Sequence, residues 1–129
     1  YKVQKTCLKA INTGIVLSAH DISDGGLAVN IAESVISSDK SLGANINIES
    51  QLSNQELLFG ECGSIIIVTI NPNNLADLVL IAKKYNVSTS SIGYVSDDST
   101  LSINNLINIS KNDITEVYNN TLGKIMTSD

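Results

Sequence analysis

At 129 residues and 13.7 kDa the chain has the length of one compact domain, spanning 1–129, able to bury roughly two-thirds of its unfolded surface. Its 43% hydrophobic and 16% charged residues exclude a disordered segment. A net charge of −5 with no arginine leaves no basic stripe to track a phosphate backbone, which excludes nucleic acid as a partner.

No apolar run approaches the ~18 residues needed to cross a bilayer, and Tyr1 to Ile11 is too rich in Lys and Gln for a secretory segment, so a soluble cytoplasmic protein with no membrane partner is expected. Cys7 and Cys62 are too few for a disulfide scaffold, and with only His20 beside them no zinc spacing arises. Tyr1 in place of an initiator methionine reads as a chain cut from something longer.

Val3, Cys7, Leu8 and Ile11 recur at helical spacing, and Asn12 to Gly14 stops that first helix. Ile15 to Ala19 is a short apolar run of strand length. It leads into His20-Asp21-Ile22-Ser23-Asp24-Gly25-Gly26, a polar loop closed by glycines. A helix follows from Leu27 to Ser37, with Ala28, Ile31, Ala32 and Val35 on its core face and Asn30, Glu33 and Ser34 pointing elsewhere. Ala44 to Ile48 alternates as a half-buried strand, and Asn54 to Phe59 reads as one helical turn. Ser64 to Ile70, β-branched almost throughout, predicts a central strand buried on both faces and ended by Asn71-Pro72.

Leu75, Leu78, Val79 and Ala82 give the core stripe of a further helix, opened by Asn73 or Asn74 and closed near Lys83-Lys84, where cations suit the helix dipole. Strands are expected near Ser90–Val95, Thr100–Ile103 and Leu106–Ile109, the first two joined as a hairpin at Asp97-Asp98. A last helix from Asn112 turns Ile114, Val117, Tyr118, Leu122 and Ile125 inward. The class is α+β, or α/β layers: a mixed sheet with helices on its faces.

The densest polar cluster is Ser18 to Gly26. Helix-start N–H groups lack internal partners and attract anions, and Gly25-Gly26 allow close approach to the backbone. Asp21 and Asp24 are carboxylates of the kind that anchor Mg²⁺, which needs only one or two of them and bridges to phosphates. On pattern alone, however, the plainer reading is favoured, with Ser23 or Asp24 a helix cap, Gly25-Gly26 a turn and His20 a core histidine. Glu61, in Phe59-Gly60-Glu61-Cys62-Gly63-Ser64, either orients a ligand or is a solvated loop carboxylate. A free cysteine is more often a small buried hydrophobe than a nucleophile, which sets nucleophilic catalysis aside.

The string Ser18-Ala19-His20-Asp21-Ile22-Ser23-Asp24-Gly25-Gly26-Leu27-Ala28, followed by Leu58-Phe59-Gly60-Glu61 and later by Ile92-Gly93-Tyr94-Val95, resembles the carboxy-terminal domain of the phosphoribosylformylglycinamidine synthases, an AIR synthase-related C-terminal domain. Aminoimidazole ribonucleotide synthase, selenophosphate synthetase and thiamine-phosphate kinase share that fold without this string. The likeness covers essentially the whole chain, and His20 to Gly26 is similar to the second of two such domains in the synthetase.

The resemblance implies a fragment of an ATP-dependent C–N ligase with glutamine as amide donor, which converts formylglycinamide ribonucleotide to formylglycinamidine ribonucleotide in purine biosynthesis. It implies Mg²⁺ and ATP or ADP as cofactors, shared with a preceding nucleotide-binding domain, and a glutaminase subunit or domain as partner. By the same token Asp21 is the metal ligand, and Ser23, Asp24, Gly25, Gly26 and Glu61 are nucleotide or phosphate contacts. No residue of this chain is catalytic, and the isolated domain is inactive. Cys62-Gly63 stands where the first-half copy has Ser-Gln, which favours a nucleotide retained largely for structure. The alternative is a non-catalytic scaffold or interaction domain of an AIR synthase-related protein.

Overall fold

The computed structural model describes residues 1–38, 40–61 and 63–126, with side chains described to residue 120. The elements in chain order are α1 (Lys2–Asn12), β1 (Val16–Asp21), α2 (Gly26–Ile36), β2 (Gly43–Ile46), α3 (Asn54–Phe59), β3 (Ile66–Ile70), a 3₁₀ turn (Pro72–Asn74), α4 (Leu75–Lys84), β4 (Gly93–Ser96), β5 (Thr100–Ile103), β6 (Ile107–Ser110) and α5 (Lys111–Met126). They fall into two compact units, one of residues 1–30 and 52–91, the other of 31–51 and 92–129, so α2 contributes residues 26–30 to one and 31–36 to the other. The α+β class holds, with the strands divided between a two-stranded and a four-stranded sheet.

In the first unit β1 and β3 pair antiparallel, Ser18 opposite Thr69 and Asp21 opposite Ile66. Helix α1 packs on both strands and on α4. Ala10 and Ala82 are fully buried, and such small side chains let helices approach closely. Thr6 is buried too, its hydroxyl satisfied by donating to the Lys2 carbonyl at 2.9 Å. Helix α3 is short but closed at both ends. Ser53 Oγ accepts from Glu56 N–H at 3.3 Å, Glu56 Oε2 accepts from Ser53 N–H at 3.0 Å, and Gly60 N–H donates to the Glu56 carbonyl at 2.9 Å.

Two expectations fail in this unit. Residues 66–70 are only half-buried and, among the described residues, have a single partner strand, because the apolar run records the faces available for burial but not how many neighbours fill them. Strand β1 is likewise largely exposed, Leu17 at 73%. On α1 the buried residues are Thr6 and Ala10, while Leu8 and Ile11 face solvent, and on α4 Leu75 does the same. Helical spacing identifies a stripe, but contacts a turn away choose which edge of it is covered.

In the second unit the sheet order is β4-β2-β5-β6, with β2 and β5 parallel and both outer pairs antiparallel. Alternation sends Leu101 and Ile103 to the interior, opposite Ala44 and Ile46 on β2. Burying side chains of that size contributes roughly 1.5–3 kcal/mol each. The Asp97-Asp98 segment does not make a hairpin, since β2 lies between β4 and β5. The chain instead crosses the end of β2, and it can do so because Gly43 sits there: a Cβ would lie 2.2 Å from the Thr100 carbonyl oxygen.

Beyond Ile46 the β2 ladder is continued by a side chain. Asn104 Oδ1 accepts from Ile48 N–H at 2.7 Å and its Nδ2 donates to the Ile48 carbonyl at 2.8 Å, an amide standing in for a strand's backbone. Lys111, which opens α5, donates from Nζ to the carbonyls of Ser38 and Lys40. Helix α5 packs on β6, but Val117 and Tyr118 are exposed rather than inward. The expected inward side chains of Leu122 and Ile125 lie outside the described residues.

Candidate functional site

The polar loop lies within the first unit and is set by its two neighbours. Strand β1 carries His20 and Asp21, opposite Ile67 and Ile66, and Ile22 N–H extends the pairing by donating to the Ile65 carbonyl at 2.9 Å. The turn then closes through Gly26 N–H to the Ser23 carbonyl at 3.2 Å, with Gly25 and Gly26 at φ +84° and +73°. Left-handed backbone of this kind is open to glycine at no steric penalty.

Gly26 has a second reason to be glycine. A Cβ there would lie 2.7 Å from the Phe59 carbonyl carbon and 2.8 Å from its Cα. The start of α2 therefore rests directly on the end of α3, and that approach brings the next residue of the second motif to the loop. Glu61 Oε1 accepts from Gly25 N–H at 3.4 Å. Two motifs distant in sequence, the 20–26 loop and Glu61, thus meet at Gly25.

Asp21, Ser23, Asp24 and Glu61 are exposed, Gly25 is half-buried and Gly26 is buried. No acidic residue occupies the first turn of α2, so no carboxylate within that turn neutralises its positive end. A cleft of about 100 Å³ lies to one side of Asp21, lined among others by Gln4, Ile22, Ser64 and Ile66. Pockets for small organic ligands begin near ~300 Å³, so this cleft admits water or an ion and does not enclose a nucleotide. Among the described residues no three His, Cys, Asp or Glu side chains converge as a metal cage.

The residue that pattern reading misplaced is Asn30. It does not point away from the core but is 3% exposed, and its Nδ2 donates to the Asp21 carbonyl at 2.7 Å. The signal was present, because position 30 lies three residues after Leu27 and so on the buried stripe. His20 is half-buried on β1. Cys7 is half-buried and desolvation pushes its thiol pKa up, away from the reactive thiolate, while Cys62 lies outside the described residues.

Residues 1–104 match the family described as AIR synthase related protein, C-terminal domain. The chain belongs to this family. Among curated proteins it is similar to phosphoribosylformylglycinamidine synthase subunit PurL of two Prochlorococcus marinus strains. One is 33% identical over 98% of this chain and 17% of the relative, the other, from strain MIT 9215, 43% identical over 88% and 16%. This AIR synthase-related domain therefore spans about a sixth of those relatives' length. Among solved structures, T. maritima PurL complexed with ATP shares the fold at a TM-score of 0.76, with 19% identity, covering 88% of this chain and 21% of that one. In sequence and in fold the chain matches the AIR synthase-related C-terminal domain of PurL. No helix among the described residues is long and apolar enough to cross a membrane.

Proposed function

We propose that this AIR synthase-related domain is a non-catalytic part of a phosphoribosylformylglycinamidine synthase, and that the 21–26 loop with Glu61 forms one wall of a site for Mg²⁺-bound nucleotide phosphate. A preceding nucleotide-binding domain supplies the opposite wall, and a glutaminase subunit or domain supplies ammonia to the reaction. The assembled enzyme is a cytoplasmic, ATP- and glutamine-dependent ligase that converts formylglycinamide ribonucleotide to formylglycinamidine ribonucleotide. The single observation that carries the reading is the seating of Gly26 on Phe59, which draws Glu61 to the Gly25 N–H of the loop that exposes Asp21 and Ser23.

The donor set suits Mg²⁺ held as it usually is beside phosphates, by one or two carboxylates with the remaining positions filled by water and phosphate oxygen. Bound there, Mg²⁺ supplies charge neutralisation and a bridge to the phosphate. Asp21 supplies the carboxylate and Ser23 a hydroxyl, and Asp24 sits at the turn, while the N–H groups of Gly25 and Gly26 are engaged by Glu61 and the Ser23 carbonyl, so these glycines serve the site by letting a phosphate approach the backbone closely. Glu61 accepts from Gly25 N–H, so it shapes the loop, and its charge adds to the demand for a cation in the site. With no arginine in the chain, no bidentate guanidinium is available for the phosphate, and a metal supplies the positive charge instead.

A second reading is a pure scaffold, favoured by apolar side chains left in solvent, Leu17 at 73% and Leu80 at 63% exposed. Mg-nucleotide retention by the intact synthetase separates the two. Asp21→Ala and Ser23→Ala are expected to lower retention at least tenfold. Retention and activity both unchanged would defeat the ligand role and leave the scaffold.

A further inference from the structure

The buried amide of Asn30 lies on a helix stripe that an apolar residue would fill without the desolvation that a buried amide brings. Its Nδ2 donates across the neck of the loop, from the second turn of α2 back to the last residue of β1, the Asp21 carbonyl, at 2.7 Å. The segment between them is held by three further bonds, from Ile22 N–H to the Ile65 carbonyl at 2.9 Å, from Gly26 N–H to the Ser23 carbonyl at 3.2 Å and from Gly25 N–H to Glu61 Oε1 at 3.4 Å. Of the four, the Asn30 bond is the one that acts on Asp21 itself, the residue bearing the proposed metal-binding carboxylate.

From this geometry we infer that Asn30 is a positioning residue, holding the peptide plane after Asp21 so that the Asp21 carboxylate is presented to the metal from a fixed Cα–Cβ direction. The inference rests on the proposed Mg²⁺-phosphate role of Asp21. Fixing the Asp21 carbonyl restrains Asp21 ψ and Ile22 φ, the two torsions that would otherwise let the strand end swing relative to the helix start. Only the side-chain torsions of Asp21 remain free, and these are the ones a bound ion selects. The amide touches neither metal nor phosphate. It acts as the hydrogen-bonding groups behind metal ligands generally do, and loss of such a group lowers metal affinity about 10- to 100-fold.

The test uses the intact synthetase with ADP and Mn²⁺ in place of Mg²⁺, reading bound metal by electron paramagnetic resonance and fold by the thermal midpoint. Asn30→Leu keeps the branched shape and cannot donate. Asn30→Ala keeps the helix and cannot overfill the site, so it serves if the leucine variant fails to fold. Asp21→Asn is the reference. The expected result is a Mn²⁺ dissociation constant raised about tenfold or more in the folded Asn30 variants, with a thermal midpoint that does not account for the loss. A folded Asn30 variant with unchanged Mn²⁺ affinity, beside an Asp21→Asn protein that has lost it, would overturn the positioning role and leave the site standing. Unchanged affinity in Asp21→Asn would overturn the site itself, and the inference with it.

Discussion

Gly26→Ala tests whether the contact that builds the site is real. At φ +73° an alanine is held in left-handed backbone, which costs about 1–2 kcal/mol. Its Cβ would also meet the Phe59 backbone at 2.7 and 2.8 Å, where no flexible side chain can move aside, adding about 1–3 kcal/mol of overpacking. Reduced freedom of the unfolded chain returns about 0.4–1 kcal/mol. The net expectation is a loss of about 2–4 kcal/mol. Gly14 is the internal control: its φ is +76°, yet no atom lies within 4 Å of a Cβ built there. Gly14→Ala therefore keeps the torsional cost alone and loses about 1 kcal/mol. Urea unfolding reads both, followed by circular dichroism because the chain has four tyrosines and no tryptophan. Equal losses in the two variants would refute the close approach of α2 to α3, and with it the reason Glu61 reaches the loop.

Asn104→Ala should cost about 2–4 kcal/mol, since it leaves Ile48 N–H and carbonyl without their amide and places alanine at φ +50°. Asn104→Gly tolerates the torsion and should lose about half as much, and a glycine variant as stable as the parent in urea would show that the amide contributes nothing. Ile103→Ala, at a fully buried position, is expected to lose about 2–5 kcal/mol in the same assay. Bonds from Ser96 Oγ and Thr100 N–H hold the Asp98 carboxyl below its usual pKa. A depressed folded pKa gives stability that is present above the unfolded value, about 3.9, and lost as pH falls through the folded one. The stability difference between the parent and Asp98→Asn should accordingly be constant from neutral pH down to about 5 and change sharply below about 4, and a pH-independent difference would show that Asp98 does not titrate as described.

The parts of the fold legible in the sequence are those written in local chemistry. Asn12 to Gly14 spells a helix stop, Gly25-Gly26 a turn before a helix, and Lys83-Lys84 a helix end, and each stands where pattern places it. What was not legible depends on neighbours. The isoleucines of 65–67 are as apolar as any central strand's, yet among the described residues β3 pairs with β1 alone, and nothing in a run of residues counts partners. Asp97-Asp98 has turn chemistry, but whether the flanking strands pair directly or admit β2 between them is decided at Gly43, more than fifty residues earlier. Val117 and Tyr118 satisfy a helical stripe and remain in solvent. For the site, the polar loop and Glu61 were legible as separate motifs, and their meeting at Gly25 was not, because it rests on the contact between Gly26 and Phe59. Asn30 was hidden by its polarity, which reads as surface until its partner, a backbone carbonyl, is seen.

The central claim is that Asp21 presents its carboxylate to a metal-bound phosphate. Anomalous diffraction from crystals of the intact synthetase grown with ADP and Mn²⁺ tests it most directly. A manganese peak is expected at direct coordination distance from the Asp21 carboxylate, about 2.1 Å for an ion of Mg²⁺ type, with a phosphate oxygen completing the shell near Ser23. Manganese and nucleotide bound elsewhere, with the Asp21 carboxylate open to bulk water, would contradict it.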